Sequence, residues 1–295
     1  MKNTLTRREV LLSGLAAFST FSALAHPSIK RFHISLQLYS VRDEMKSDPF
    51  GTLMKISGMG YHEVEPASYV DRKIYGYSAT EFKKILEEFG LKCFTSHTGF
   101  KKEHWNKMQN DVTDDYKKTI EDALITGQKI MIVPSFDWDK KDMEEVKKGI
   151  EAFNRMSEIA SESGLKIGFH NHHEEFEIMY NGEYLYDLML KEWGPSQISQ
   201  QLDIANMSLA GVDPMVFLRK YPHHYASIHV KDFNKKTKLS TQLGEGDLDI
   251  EAILAFAKKN TLIEYWVIEQ EDYDGKMPLD AVGANLQRFK RYGFI

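Results

Sequence analysis

Gln200-Gln201-Leu202-Asp203-Ile204-Ala205-Asn206, Ser227-Ile228-His229-Val230-Lys231-Asp232 and Tyr265-Trp266-Val267-Ile268-Glu269-Gln270-Glu271 share one design. Each is an apolar, strand-like run that stops on a residue able to bind a metal: Asp203, His229 and Glu269 in turn. If the three strands are parallel neighbours, the three side chains converge at one end of a sheet.

Outward from these runs the same rhythm covers the chain. From residue 33, β-rich runs at 33–40, 63–67, 92–98, 129–136, 166–172, 198–205, 225–232 and 265–271 alternate with amphipathic helical stretches. Their starts lie roughly thirty to forty residues apart, the length of a strand, a helix and two short connections. Phe82, Ile85, Leu86 and Phe89 form a helical stripe, and Ser78 with Glu81 makes a capping-box pattern ahead of it. Val146, Ile150 and Phe153 repeat the stripe in the longest helix, which Gly164 should stop. Asp213-Pro214 reads as an N-cap followed by proline at the first helical position, and Pro278 as the start of the last helix. The alternation predicts an α/β fold, a single-domain (β/α)8 TIM barrel over residues 26–295. An open doubly wound sheet would announce itself with a Gly-rich first turn; no G-x-G-x-x-G follows the first strand, and Gly244-Glu245-Gly246 follows the seventh.

With 295 residues and 42% hydrophobic content the chain can build one large core. Cys93 is the sole cysteine, which rules out an internal disulfide and a Cys-x-x-Cys zinc site and reads as a buried thiol. Residues 1–25 read as an address: Thr6-Arg7-Arg8-Glu9-Val10-Leu11 is a twin-arginine pattern, followed by an Ala-rich apolar stretch and the small-residue pattern Ala23-Leu24-Ala25. The expected location is therefore periplasmic. Cleavage would remove Lys2, Arg7, Arg8 and Glu9, three cations and one acid, and take the formal charge from −5 to −7. So acidic a chain is a poor partner for nucleic acid. No other run is long and apolar enough to span a bilayer, so no membrane partner is expected after cleavage. A homo-oligomer is among the partners the sequence allows.

Polar residues collect at the carboxyl ends of the runs, where a barrel enzyme keeps its chemistry. The first run delivers Gln37, Tyr39 and Arg42, the second Glu65, the third His97, and the fifth the dense Phe169-His170-Asn171-His172-His173-Glu174-Glu175-Phe176. Imidazole and carboxylate without thiolate suit a divalent ion such as Mn²⁺, Co²⁺, Zn²⁺ or Mg²⁺. Such an ion would bind vicinal oxygens of a sugar and stabilise the enediolate formed when a proton beside a carbonyl is removed. Lys231 lies two residues after His229, on the same strand face, where it can hold a substrate oxyanion, act as an acid, or pair with a neighbouring carboxylate.

At these residues the chain resembles the xylose-isomerase-like barrel family of sugar epimerases, hydroxypyruvate isomerase, inosose dehydratase and apurinic endonuclease. The resemblance runs over the whole mature chain and rests on Ser35-Leu36-Gln37-Leu38-Tyr39-Ser40, Ser96-His97-Thr98, Phe169-His170-Asn171-His172 with Glu175-Phe176, Leu202-Asp203-Ile204, His229-Val230-Lys231-Asp232, Leu243-Gly244-Glu245-Gly246-Asp247 and Glu269. It implies a metal held by an acid after the fifth strand, Asp after the sixth, His after the seventh and Glu after the eighth. Asp203, His229 and Glu269 match three of these. His170 stands where the fifth-strand acid usually is, with His172 and Glu175 as alternatives, and Asn206 stands where a His is often found. The expected metal set is thus His170, Asp203, His229 and Glu269. The expected catalytic set is Glu269, Lys231 and Glu175. The expected substrate contacts are Gln37, Tyr39, Arg42, Glu65, His97, His172, Asn206 and Glu245.

Epimerases resembling this chain move a proton between two opposed carboxylates, so a His in one of those places weakens face-to-face transfer and leaves one-base elimination open. The expected substrate is a small sugar or glycoside, unphosphorylated if the protein is exported, and residues 244–246 could offer backbone donors to an anion. A metal-dependent isomerase or epimerase is the leading expectation and a lyase, either a dehydratase or a keto-glycoside β-eliminase, is close behind. A non-catalytic exported sugar-binding protein is the alternative of another class.

Overall fold

The computed structural model describes residues 32–294, so the expected signal at residues 1–25 lies outside the described residues. All the β-rich runs form strands of one parallel sheet: β1 (His33–Gln37), β2 (Val64–Glu65), β3 (Thr95–His97), β4 (Ile130–Val133), β5 (Lys166–His170), β6 (Ser199–Asp203), β7 (Tyr225–Val230) and β8 (Tyr265–Ile268). Except at β2 and β3, each strand pairs with its neighbour in sequence, and β1 pairs with β8, His33 opposite Tyr265 and Leu36 opposite Ile268. That last pairing curls the sheet round on itself. At the remaining seam between β2 and β3, Val64 N donates to Lys92 O at 2.9 Å, Lys92 N to His62 O at 3.0 Å and His97 N to Pro66 O at 2.8 Å. The result is a nearly closed barrel of eight parallel strands.

Around it stand α1 (Pro49–Gly58), α2 (Ala79–Glu88), α3 (Asp114–Thr126), α4 (Met143–Glu162), α5 (Leu185–Glu192), α6 (Pro214–Lys220), α7 (Ile250–Asn260) and α8 (Pro278–Phe289). The Ser78–Glu81 capping box forms at the start of α2, Asp213 caps α6 through Met215 N, and Pro278 opens α8. The chain leaves α4 through Gly164 at φ 79°, a left-handed conformation that glycine adopts without a Cβ penalty. No described helix is long and apolar enough to cross a membrane. Cys93 is a buried free thiol.

The strands are shorter than the apolar runs, and the reason is chemical. At the end of β1 the Gln37 side chain accepts from Tyr39 N and turns residues 38–41 into a 3₁₀ helix. At the end of β6 the Asp203 carboxylate accepts from Ala205 N and Asn206 N at 2.9 and 2.8 Å and starts the helix Ile204–Leu209. One carboxylate thus ends a strand, caps a helix and is fixed at the barrel mouth.

Between barrel and helices, Phe153 of α4 packs on Phe136, Phe169 and Trp193 with ring centroids 5.9, 5.9 and 5.0 Å away. Gly149, one turn earlier, leaves room for this cluster: a Cβ there would lie 2.2 Å from Phe136 Cζ and 2.9 Å from Trp138 Cδ2. Both rings are buried and cannot swing out. Gly149→Ala is expected to destabilise the fold by about 1–3 kcal/mol through overpacking; an unchanged chemical-denaturation midpoint would refute this account.

Candidate active site

β6, β7 and β8 are adjacent, with Asp203 opposite His229 and His229 opposite Val267, and Glu269 follows β8 with its N–H donating to Val230 O at 3.2 Å. Ligand atoms of Asp203, His229 and Glu269 all lie within 4.8 Å of one another, as do those of His97, His170 and His229. His229 is the shared member, fully buried, with Nδ1 2.8 Å from Glu269 Oε2 and Nε2 2.7 Å from Glu65 Oε1. Lys231 reaches Asp203 Oδ2 at 2.7 Å, Glu269 Oε2 at 3.1 Å and Glu271 Oε1 at 2.6 Å. The expectation that Lys231 pairs with neighbouring carboxylates thus describes its place here.

Burial alone would discharge these groups, but their neighbours reverse it. Burial opposes the charged form of His229, yet Glu269 and Glu65 outweigh it and push the imidazole up to about 10. Burial likewise opposes ionisation of Glu269, and Lys231 with His229 brings it well below the usual carboxylate range. Glu65 is lowered in the same way by His97 and His229 against its own burial. Lys231 is raised well above its ordinary value, since Asp203, Glu269 and Glu271 more than offset its desolvation. His170 goes the other way, held well below the ordinary imidazole value by burial and then by its neighbours His229, His97, His172 and Lys231, which favours its neutral form.

A second tier holds the first. Asn171 accepts from Asp203 N at 2.9 Å and donates to Asp203 O at 3.2 Å, and Asn206 Nδ2 donates to Asp203 Oδ2 at 3.0 Å. Asn206 therefore acts on Asp203. Glu65 and Gln37, expected among substrate contacts, are fully buried; Gln37 Nε2 donates to Glu65 Oε1 at 2.8 Å. Glu65 is a floor for the imidazoles. Gln201 donates to Glu65 Oε2 at 2.9 Å and to Ser227 Oγ at 3.0 Å, and its Oε1 lies 2.7 Å from His97 Nε2 and 2.9 Å from His170 Nδ1. Sequence reading did not single out Gln201, although its spacing of two from Asp203 puts both on one strand face.

At the rim, Tyr39 is 44% exposed, the Arg42 guanidinium lies over its ring at 4.9 Å, and Arg42 Nη2 donates to Glu271 O at 3.1 Å. His172 is partly buried, its ring centroid 5.0 Å from that of His170. Glu175 is fully buried: Oε2 accepts from His172 N at 2.7 Å and Oε1 pairs with Lys140 at 2.7 Å. Glu175 shapes the loop that carries His172. Lys140, with Phe136, Trp138, Glu174 and Ile178, also lines a cleft of about 600 Å³ beside that loop. Glu245, expected at the substrate, pairs instead with Lys276 at 2.9 Å. The backbone donors of residues 244–246 are likewise taken, because Asp232 Oδ2 accepts from Gly244 N at 2.8 Å and Gly246 N at 3.1 Å. A Cβ on Gly246 would sit 2.1 Å from Asp232 Oδ1, so glycine is what lets the carboxylate in.

The donor set fits a divalent cation. Asp203 and Glu269 supply oxygen donors, His229 would supply a nitrogen on releasing the proton it now shares with Glu269 or Glu65, and His170 Nε2 lies 3.7 Å from Asp203 Oδ2, beyond hydrogen-bond distance. The Lys231 ammonium between Asp203 and Glu269 shows that this pocket already draws a cation, and Glu271 gives the lysine an alternative partner.

An eight-stranded parallel barrel with an imidazole and carboxylate cluster at its carboxyl-end mouth has its titratable groups where barrel enzymes keep their chemistry. The chain belongs to the xylose isomerase-like TIM barrel family, which it matches over residues 53–292. It is 28% identical over 165 residues to an inosose dehydratase of Clostridium perfringens, covering 50% of this chain and 54% of that one. The chain thus spans about half the length of the curated relatives it matches. A solved sugar phosphate isomerase/epimerase from Parabacteroides distasonis superposes with a TM-score of 0.75 at 26% identity, over 89% of this chain and 99% of that one. An L-ribulose 3-epimerase structure shares the fold at 12% identity, with a TM-score of 0.66 over 89% of this chain and 94% of its own.

Proposed function

We propose that this protein is a divalent-metal-dependent enzyme that removes a proton α to the carbonyl of an unphosphorylated keto-sugar and returns it as an isomerase or epimerase. The observation that carries the proposal is the meeting of Asp203, His229 and Glu269 within 4.8 Å at the carboxyl end of the barrel. A bound Mn²⁺, Co²⁺, Zn²⁺ or Mg²⁺ ion would polarise the substrate carbonyl and stabilise charge on its oxygen. Asp203, His229, Glu269 and His170 would hold it. Glu269, kept ionised by Lys231 and His229 despite burial, is the base we assign to the α-proton, and movement of Lys231 away from it would make it a stronger one. Lys231 can shift toward Glu271 and donate to a substrate oxygen. Tyr39 and Arg42 border the mouth, and the cleft beside Lys140 offers space for an aglycone. The Asp232 carboxylate fills the loop that would otherwise cradle a phosphate, which supports an unphosphorylated substrate. The twin-arginine pattern of residues 6–11 is the support for a periplasmic location.

One observation favours a lyase outcome on the same site. Glu175, the fifth-strand acid that could oppose Glu269, is sequestered by His172 N and Lys140, and the position expected to carry the opposed acid holds His170, which leaves Glu269 as the single base in this reading. A single base suffices for β-elimination. Ketoses and keto-glycosides incubated with the Mn²⁺-loaded protein in D₂O separate the outcomes: deuterium incorporation with the skeleton retained means isomerase or epimerase, and loss of aglycone or water means lyase. Tight sugar binding without exchange would instead mark a binding protein and refute the proposal.

A further inference from the structure

Gln201 sits at the centre of the buried polar network with every valence in use. Its NH₂ faces Glu65 Oε2 at 2.9 Å and Ser227 Oγ at 3.0 Å, and its carbonyl faces His97 Nε2 at 2.7 Å and His170 Nδ1 at 2.9 Å. A carboxylate only accepts, so the amide cannot be turned round: flipped, it would set a carbonyl against Glu65 and an NH₂ against two imidazoles. The carbonyl oxygen therefore has to receive N–H from both rings. For His170 this places the proton on Nδ1 and leaves Nε2 with a lone pair, on the side of Asp203 Oδ2 at 3.7 Å. A lone pair facing a carboxylate at that distance is unfavourable unless a cation lies between them.

We propose that Gln201 is a positioning residue whose amide, oriented by Glu65, locks His170 in the Nδ1–H tautomer and aims its bare Nε2 at the cation site shared with Asp203. This deepens the proposed metal-dependent function and rests on it. It also accounts for a histidine at the position where the resemblance implies an acid: an acid ligates from either oxygen, whereas a histidine must be told which nitrogen to present, and Gln201 tells it. His97, donating to the same carbonyl, fills the second lone pair and keeps the amide from turning.

The test begins with the metal-free full-length protein labelled with ¹⁵N-histidine, the His170 signals being assigned by comparison with His170→Gln. His170 should show a protonated Nδ1 and an unprotonated Nε2 near neutral pH; the opposite tautomer overturns the proposal without any variant at Gln201 having to fold. Gln201→Met, similar in volume and unable to accept two N–H groups, should show a tautomer mixture at His170 and a 10–100-fold weaker Kd for Mn²⁺ by titration calorimetry, the range typical of partners behind a ligating histidine. Mn²⁺ affinity within threefold of wild type overturns the lock while the metal reading stands. A wild type that shows the expected tautomer but binds no Mn²⁺ removes both the metal reading and the purpose assigned to Gln201.

Discussion

Glu269→Gln is expected to slow α-proton exchange by about 10³-fold or more while the barrel still folds. Glu269 Oε2 lies 2.8 Å from His229 Nδ1 and 3.1 Å from Lys231 Nζ, so a single carboxylate oxygen faces two buried cations. Glutamine is nearly the same size but carries no charge and cannot accept a proton. If its carbonyl takes the place of Oε2, both N–H donors remain paired and the fold is spared much of the cost, but the base is gone and an anionic donor to the ion is lost. The two losses can be told apart. A ligand lost without chemistry would weaken Mn²⁺ binding and be recovered at saturating Mn²⁺, whereas loss of the base persists there as a deficit in kcat. Exchange within tenfold of wild type at saturating Mn²⁺ would remove Glu269 from proton transfer.

Much of this site was legible because strand periodicity is geometric. Asp203, His229 and Glu269 end successive apolar runs, and once each βα unit lies beside the next, their convergence follows from chain order alone. Depth and partnership were not legible in the same way. Glu65 and Gln37 share a strand-end signature with true rim residues, but the partner that draws Glu65 inward is His229, 164 positions away, and no local pattern reports such a pairing. Glu245 and the glycines beside it looked like an open anion loop; Asp232, at the end of the run that leads into that loop, supplies the anion from within. Asn206 was read against the substrate because it replaces a frequent His, yet an amide three residues after Asp203 at the start of a helix is within reach of that carboxylate. Gln201 was overlooked for the opposite reason: it looked like one polar residue inside a strand, and its value comes from four partners on four different strands.

His229→Gln should cost the metal-free protein about 3–5 kcal/mol near pH 6, because it leaves Glu65 and Glu269 as buried carboxylates without the cation between them. In a domain of this size that is a fall in Tm on the order of 10 °C. The pH dependence identifies the cause. His229 is raised from 6.5 to about 10 in the folded protein, so its stabilisation is complete below 6.5 and is lost as the pH climbs through about 10. Glu65 and Glu269 are lowered from 4.5, so their contribution is complete above that value and is lost as the pH falls below it. These shifts describe the same ion pairs from two sides and are counted once. The Tm gap between wild type and variant should therefore be widest between about pH 4.5 and 6.5, narrowing in acid as the carboxylates take up protons and in alkali as His229 gives its proton up. Thermal melts in chelator across pH 4 to 10 measure it. A gap that stays constant over that range would mean that His229 stabilises the barrel by packing, and that the charge alternation Glu65, His229, Glu269, Lys231 does not hold the mouth together.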